Sequence, residues 1–163
     1  SDCAINIDPD AQTLAEIAYQ SYLTAKMIGL DPKVAMLSFS TKGSAKGPMI
    51  DKVIQATKLV HENHPEVKID GELQFDAAFV ANVAAKKAPN SEVAGKANVF
   101  VFPELQSGNI GYKIAQRLGN FTAVGPVLQG LAAPINDLSR GCSANDVYLA
   151  GILTAVQAIE AKK

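Results

Sequence analysis

The chain is poor in cysteine and has no tryptophan. Its 2 cysteines, Cys3 and Cys142, are too few for a disulfide framework, which favours a reducing, cytoplasmic environment. No apolar run approaches the roughly 18 residues that span a bilayer, and the first residues lack the basic start and apolar core of a signal peptide. The formal net charge of −1 argues against a nucleic-acid surface. We therefore expect neither a membrane nor a nucleic acid as partner.

What the chain does contain is a regular alternation of short apolar runs with longer amphipathic ones. Its 163 residues are 48% hydrophobic and 19% charged, which fits one ordinary domain with a sizeable core. The predicted strands are Cys3–Ile7, Val34–Phe39, Val67–Ile69, Asn98–Phe102 and Phe121–Val124. The predicted helices are residues 11–28, 48–63, 75–87, 109–118 and 144–161. This alternation predicts an α/β fold with three layers, in which helices cover both faces of a mostly parallel sheet.

Ligands of open α/β sheets usually lie beyond the carboxyl ends of the strands. The first loop in such a position, residues 38–47, is rich in small and hydroxyl residues and carries Lys42 and Lys46. Its N–H groups and hydroxyls suit an anion, and a polar connection with glycine turns is an equally good interpretation.

Two further segments carry charge in positions of interest. Lys113 and Arg117 are four residues apart on a predicted helix, so they share a face that an anion or only solvent occupies. We expect Ser107 or Asn109 to cap this helix. Its first turns would hold Lys113, where a cation opposes the helix dipole and a ligand role becomes attractive.

The segment 134–146 is the most informative one. Arg140 offers a planar fork of donors that suits phosphate, Ser139 offers a hydroxyl beside it, and Asp146 is a candidate general base. Ser143 and Asp146 also have the spacing of a helix capping box, so capping alone is the alternative role for Asp146. The two roles are compatible, because a helix start holds a carboxylate rigidly.

Six stretches together resemble the phosphate acetyl/butyryltransferase family, in the family's order and spacing. They are residues 35–44, 70–78, 87–97, 108–113, 125–130 and 136–141. The resemblance implies a fold similar to isocitrate and isopropylmalate dehydrogenases, with two α/β domains around a cleft. It also implies a chain about twice this length that forms a homodimer. Residues 1–133 would then be the second domain, and residues 134–163 an active-site loop and a terminal helix that packs toward the absent first domain.

The resemblance further implies reversible acetyl transfer between acetyl phosphate and coenzyme A, with no metal and no bound cofactor. It assigns catalysis to Asp146, Arg140 and Ser139. It assigns substrate contacts to Ser44, Tyr112, Lys113 and Asn136. The alternatives are butyryl transfer and a non-catalytic module that binds coenzyme A or phosphate. We expect the 163-residue chain alone to be inactive.

Overall fold

A computed structural model describes residues 1–161 of the chain. In chain order the elements are α1 (Ala11–Met27), β1 (Val34–Leu37), α2 (Pro48–Asn63), β2 (Ile69–Leu73), α3 (Phe75–Phe79), α4 (Ala81–Lys87), β3 (Val99–Val101), α5 (Leu105–Gly119) and α6 (Ala144–Glu160). No helix within residues 1–161 has the length and apolar character that crossing a bilayer requires.

The three strands form one parallel sheet in the order β2-β1-β3. The central strand pairs on both sides, so that Val34 lies opposite Ile69 on one edge and Val99 on the other. Parallel strands need long crossovers, and α2 supplies the one between β1 and β2. The predicted α/β fold with a parallel sheet is confirmed.

The side chains of β1 alternate between two apolar layers, and all four are buried. Val34 and Met36 face α1 and α2, whereas Ala35 and Leu37 face α3, α4 and the segment that follows them. The first layer is built from Leu14, Ile17, Ala18, Val53, Ala56 and Val60. The second is built from Leu73, Ala78, Ala84, Ala88, Val93, Ala94 and Ala97. Helices on both faces of the sheet give the predicted three layers.

The start and end of α1 follow from local sequence signals. The carboxylate of Asp10 accepts a hydrogen bond from the backbone N–H of Thr13 at 2.8 Å, which satisfies a donor that the first turn leaves free. At the other end Gly29 adopts φ +87°, a conformation that L side chains rarely take. The helix predicted for residues 11–28 is confirmed to within one residue.

Two predicted strands are wrong. Residues 3–7 wrap around the carboxylate of Asp2, which accepts backbone N–H groups from Ala4, Ile5 and Asn6 at 2.7–3.0 Å. This side-chain turn competes successfully with an extended ladder. Residues 121–124 follow a left-handed Asn120 (φ 56°) and pair with no strand among residues 1–161.

The single helix predicted for the alanine-rich region divides into α3 and α4 at Val80. The carbonyl of Ala77 accepts the backbone N–H of Gly95 at 2.9 Å, and the carbonyl of Ala78 accepts that of Ala97 at 3.2 Å. These carbonyls would otherwise accept the next helical hydrogen bonds. Tertiary bonds thus interrupt a sequence whose own propensity is helical.

Helix α5 begins four residues earlier than predicted, at Leu105 rather than Asn109. The side chain of Glu104 is the cap, since it accepts the N–H groups of Gln106 (2.7 Å) and Ser107 (2.8 Å). The predicted caps, Ser107 and Asn109, are wrong. The earlier start places Lys113 in the middle of the helix, where the dipole no longer opposes it.

Candidate functional site

The backbone N–H groups of the loop that follows β1 are already hydrogen-bonded within the protein. The N–H groups of residues 40–45 all donate to acceptors in the loop or on β2. Hydroxyls of the loop accept several of them, as when the Ser40 hydroxyl accepts the N–H of Ala45 at 3.1 Å. Because these donors are satisfied, the structure favours a polar connection over an anion cradle in this stretch.

A buried acid holds the loop in place. Glu72 on β2 is only 3% exposed, and its Oε1 accepts the Ser40 hydroxyl at 2.8 Å and the Gly43 N–H at 2.7 Å. Beside it, the hydroxyl of Thr41 accepts the backbone N–H of Gln74 at 2.9 Å. Glu72 is not predicted from the sequence, although β2 reads Ile-Asp-Gly-Glu-Leu and an acidic side chain between buried strand residues is itself a signal.

Some of the charged and hydroxyl side chains of this loop form ion pairs or hydrogen bonds, and others form none within the described residues. Lys42 pairs with the carboxylate of Asp70, and the exposed Ser44 accepts the N–H of Thr41 at 3.0 Å. Lys46 is exposed and makes no side-chain bond within residues 1–161. The substrate contact predicted for Ser44 therefore stays a prediction, and Lys46 is the cation that this loop leaves available.

On α5 the two predicted contact residues are adjacent and exposed. Two neighbours hold the ammonium of Lys113. It donates a hydrogen bond to Oδ1 of Asn109 at 2.8 Å and lies 5.8 Å from the ring centre of Tyr112. Arg117, one turn further on, makes no hydrogen bond or ion pair within the described residues. No hydrogen bond or ion pair within residues 1–161 joins these side chains to the segment before α6.

The turn before α6 presents Arg140 to solvent. The carbonyl of Ser139 accepts the N–H of Cys142 at 3.0 Å, and its hydroxyl accepts the N–H of Gly141 at 3.3 Å. The guanidinium of Arg140 has no hydrogen bond or ion pair anywhere in residues 1–161. Its donors are therefore free for an anionic ligand, whereas the hydroxyl of Ser139 can still donate its proton.

Asp146 occupies the third position of α6 and completes the predicted capping box. Its Oδ2 accepts the backbone N–H of Ser143 at 2.7 Å, and its own N–H donates to the Ser143 hydroxyl at 3.2 Å. The bond from Ser143 holds the pKa of the Asp146 carboxyl below its ordinary value, so the group is ionised at neutral pH. The Oδ1 atom makes no bond within the described part of the chain, so capping leaves one oxygen to accept a proton.

Asn136 lies three residues before Ser139, and both its amide oxygen and its amide nitrogen are hydrogen-bonded. Its Oδ1 accepts the N–H of Leu128 at 2.8 Å, and its Nδ2 donates to Thr154 (2.8 Å) and Gln157 (2.6 Å) on α6. The signal for this cluster is the pair of polar residues, three apart on one face, within the otherwise apolar residues 147–159 of α6. Neither Thr154 nor Gln157 is among the residues predicted from the sequence.

Taken together, the structure places Asn136, Ser139, Arg140 and Asp146 on one segment that leads into α6. No hydrogen bond or ion pair within residues 1–161 connects this segment with Ser44 or Lys113. No group of three or more potential metal ligands occurs among the described residues. Within residues 1–161 the segment leaves the guanidinium of Arg140 and Oδ1 of Asp146 without a bonding partner, and these are the groups that suit an anion and a proton respectively.

Comparison with known proteins gives consistent results. The chain matches the family model described as phosphate acetyl/butaryl transferase over residues 1–155. It is 66% identical to a phosphate acetyltransferase of Bacillus subtilis (strain 168), covering 98% of this chain and 49% of that protein.

Solved structures show the same similarity. A phosphotransacetylase from Streptococcus pyogenes superimposes with a TM-score of 0.95 at 66% identity, covering 98% of this chain and 49% of that one. A branched-chain phosphotransacylase from Enterococcus faecalis V583 gives a TM-score of 0.78 at 27% identity, over 96% of this chain and 58% of that one. The chain spans about half the length of the curated relatives it matches.

Proposed function

The chain belongs to the phosphate acetyl/butaryl transferase family, and we propose that the protein containing it transfers acetyl groups reversibly between acetyl phosphate and coenzyme A. The observation that carries the proposal is the 66% identity, over 98% of the chain, to a protein named phosphate acetyltransferase. Identity to a protein named for branched-chain acyl groups is 27%. This difference favours a short acyl group.

The proposed reaction is an acyl transfer from phosphate to sulfur. Asp146 takes the proton from the coenzyme A thiol, which titrates near about 8.5 when unperturbed. The thiolate attacks the acetyl carbonyl carbon, the bond from that carbon to the phosphate oxygen breaks, and phosphate leaves with the bonding electrons. Arg140 binds the phosphate and offsets the negative charge that develops on it, while Ser139 donates a hydrogen bond to the same group.

Three features of the site support these roles. The guanidinium of Arg140 is exposed and unpaired within residues 1–161, so no internal partner must be displaced for phosphate to bind. Only Oδ2 of Asp146 is used in the capping box, so Oδ1, which makes no bond within residues 1–161, is open to accept a proton. The capping bond to Ser143 fixes that carboxylate at the start of a rigid helix.

Further substrate contacts are proposed from Ser44, Tyr112 and Lys113. The last two are exposed on one side of α5, where an ammonium beside an aromatic ring suits a phosphate or an adenine group. A contact from Asn136 would compete with the bonds that already engage both of its amide hydrogens. The chemistry requires no metal and no bound cofactor, because acetyl phosphate is already an activated acyl donor.

We propose that residues 134–163 act with a first domain outside this chain, and residues 1–133 form the second domain. The support is the surface of α6, where Val147, Tyr148, Ile152 and Ile159 are all exposed. A surface of this kind marks an interaction site. The 163-residue chain alone is accordingly expected to be inactive, because the first domain would complete the cleft.

We also propose that the whole protein is a homodimer in the cytoplasm. Helix α5 exposes Ile110, Ile114 and Leu118 (57%, 53% and 81%), which are four residues apart and form one apolar stripe. A second copy of the chain would bury this stripe. Both cysteines are free thiols, which suits a reducing compartment.

The proposed function is tested by assaying the longest natural chain that carries this sequence with acyl phosphates of increasing length. The expected result is transfer to coenzyme A with the highest kcat/KM for acetyl phosphate. A higher kcat/KM for butyryl or branched acyl phosphates would contradict acetyl transfer and indicate transfer of those longer acyl groups instead. Coenzyme A binding with no transfer of any acyl group would indicate a non-catalytic module.

A further inference from the structure

Three residues close a ring of hydrogen bonds behind the turn that carries Arg140. The N–H of Leu128 donates to Asn136, Nδ2 of Asn136 donates to Oε1 of Gln157, and Nε2 of Gln157 donates to the carbonyl of Leu128 at 3.2 Å. The hydroxyl of Thr154 accepts the second amide hydrogen of Asn136. We call these four residues the Asn136 clamp.

The backbone of Leu128 determines the orientation of both side-chain amides. The N–H of Leu128 requires an acceptor, so Oδ1 of Asn136 must face it. The carbonyl of Leu128 requires a donor, so Nε2 of Gln157 must face that oxygen. The two remaining amide atoms are then a donor and an acceptor that face each other at 2.6 Å. The arrangement is self-consistent, and both hydrogens of Nδ2 are used.

The clamp joins the two ends of the segment that carries the reaction. Asn136 precedes Ser139 and Arg140, whereas Thr154 and Gln157 lie on α6 beyond Asp146. A link across these ends closes a loop around Arg140 and Asp146, which reduces the number of arrangements open to that loop. No other hydrogen bond within residues 1–161 ties residues 131–143 to the later turns of α6.

We infer that Asn136 is a positioning residue, which acts through the clamp to hold Arg140 and Asp146 in place and does not act by touching substrate. The kinetic part of this inference rests on the proposed acyl transfer. A small misplacement of catalytic groups is costly, since a shift of about 1 Å can reduce the rate about 100-fold. Loss of the clamp should therefore reduce kcat/KM by about 10- to 100-fold.

The test separates positioning from direct contact by removing the clamp from each side. Asn136→Ala removes one side, and the pair Thr154→Val with Gln157→Leu removes the other from positions on α6. All variants are made in the longest natural chain that carries this sequence. We expect the two sides to lower kcat/KM for acetyl phosphate equally, and all three changes together to cause no further loss.

Matched controls are available on α2. Thr57→Val removes a hydroxyl that, like that of Thr154, donates to the carbonyl four residues earlier (2.8 Å against 2.7 Å). Gln55→Leu removes an exposed amide that has no side-chain bond within the described residues. Neither residue contributes to the clamp, so both variants should keep wild-type kcat/KM.

A second readout does not depend on catalysis. The amide N–H of Leu128 donates to Asn136, so its hydrogen exchange should accelerate about tenfold or more in Asn136→Ala and in the α6 pair. If the wild-type protein transfers no acyl group, the proposed function fails, and this exchange rate still tests the clamp. Unchanged exchange at Leu128 in both variants would contradict the clamp.

Three kinetic outcomes would also overturn the inference. Loss of activity in Asn136→Ala with normal activity in the α6 pair would assign Asn136 a direct substrate contact. Normal activity in both would show that the clamp is not needed for turnover. Additive losses in the combined variant would show that the two sides act independently.

Discussion

Asp146 and Ser143 bind each other twice, side chain to backbone in both directions, at 2.7 and 3.2 Å. This reciprocal pair begins α6 and at the same time fixes the orientation of the carboxylate that we propose as general base. Only Oδ2 is used in the pair, so the structural and chemical roles of Asp146 fall on different oxygen atoms.

Asp146→Asn tests the chemical role without removing the cap. The amide oxygen can still accept the N–H of Ser143, so we expect an intact α6 by circular dichroism. Because an amide cannot take the thiol proton, kcat should fall by about 100- to 10,000-fold at neutral pH. The measurement is kcat for acetyl transfer in the longest natural chain that carries this sequence.

The pH dependence of the wild-type and variant proteins gives an independent check. The pKa of Asp146 is lowered by its bond from Ser143, so the base keeps its charge, and the cap keeps its stabilising effect, above the ordinary carboxyl range. Both are lost as the pH falls through the lowered pKa. The acid limb of the rate profile should therefore disappear in Asp146→Asn. An identical profile in the two proteins would leave capping as the only role.

Glu72 provides a prediction about stability. Both bonds between the Glu72 side chain and the loop end on Oε1, so Glu72→Gln can keep them through its amide oxygen, whereas Glu72→Ala loses both. We expect Glu72→Ala to lower the free energy of unfolding by about 2–3 kcal/mol and Glu72→Gln by less than about 1 kcal/mol. Urea denaturation of the 163-residue chain measures both. Equal losses in the two variants would show that charge, and not the shared acceptor, holds the loop.

The parts of the fold that the sequence predicts well depend on local signals. Asp10 caps α1 and Gly29 follows its end, and both effects come from residues adjacent in the chain. Strand β1 is predicted because its whole run is apolar, as expected for a parallel strand covered on both faces. The strand-helix alternation then leads to the three-layer fold.

The predictions that are wrong depend on bonds between distant parts of the chain or on a competing side chain. Val80 interrupts a helical sequence because Gly95 takes a carbonyl from the turn before it. Residues 3–7 are apolar enough for a strand, yet Asp2 captures their backbone donors. Periodicity carries no information on either event.

The residues of the candidate site also fall into those that the sequence predicts and those that it does not. Arg140 and Asp146 could be identified because guanidinium and carboxylate in one short segment are recognisable from residue type and spacing. The roles of Glu72 and Asn136 could not be predicted. Glu72 depends on partners 29 and 32 residues away, and Asn136 on partners 18 and 21 residues away on α6, and only the fold brings these residues close. Residue type alone suggests a ligand contact for Asn136 as readily as an internal clamp.

The apolar stripe on α5 predicts that dimerisation depends on Ile114. A carboxylate in the centre of an apolar interface has to lose its hydration, so Ile114→Glu should convert the proposed homodimer to monomers. Light scattering after size exclusion measures the mass directly. Ile54→Glu on α2, at another exposed isoleucine, is the matched control and should remain dimeric. A dimer that persists in Ile114→Glu would show that another surface joins the copies.

The most direct test of the account is the effect of Arg140→Ala on acetyl transfer in the longest natural chain that carries this sequence. Arg117→Ala is the matched control, because both arginines are exposed and make no ion pair within residues 1–161. We expect Arg140→Ala to lower kcat by about 100- to 1,000-fold and to raise KM for acetyl phosphate, whereas Arg117→Ala should remain close to wild type. Near-wild-type kcat and KM in Arg140→Ala would contradict the account.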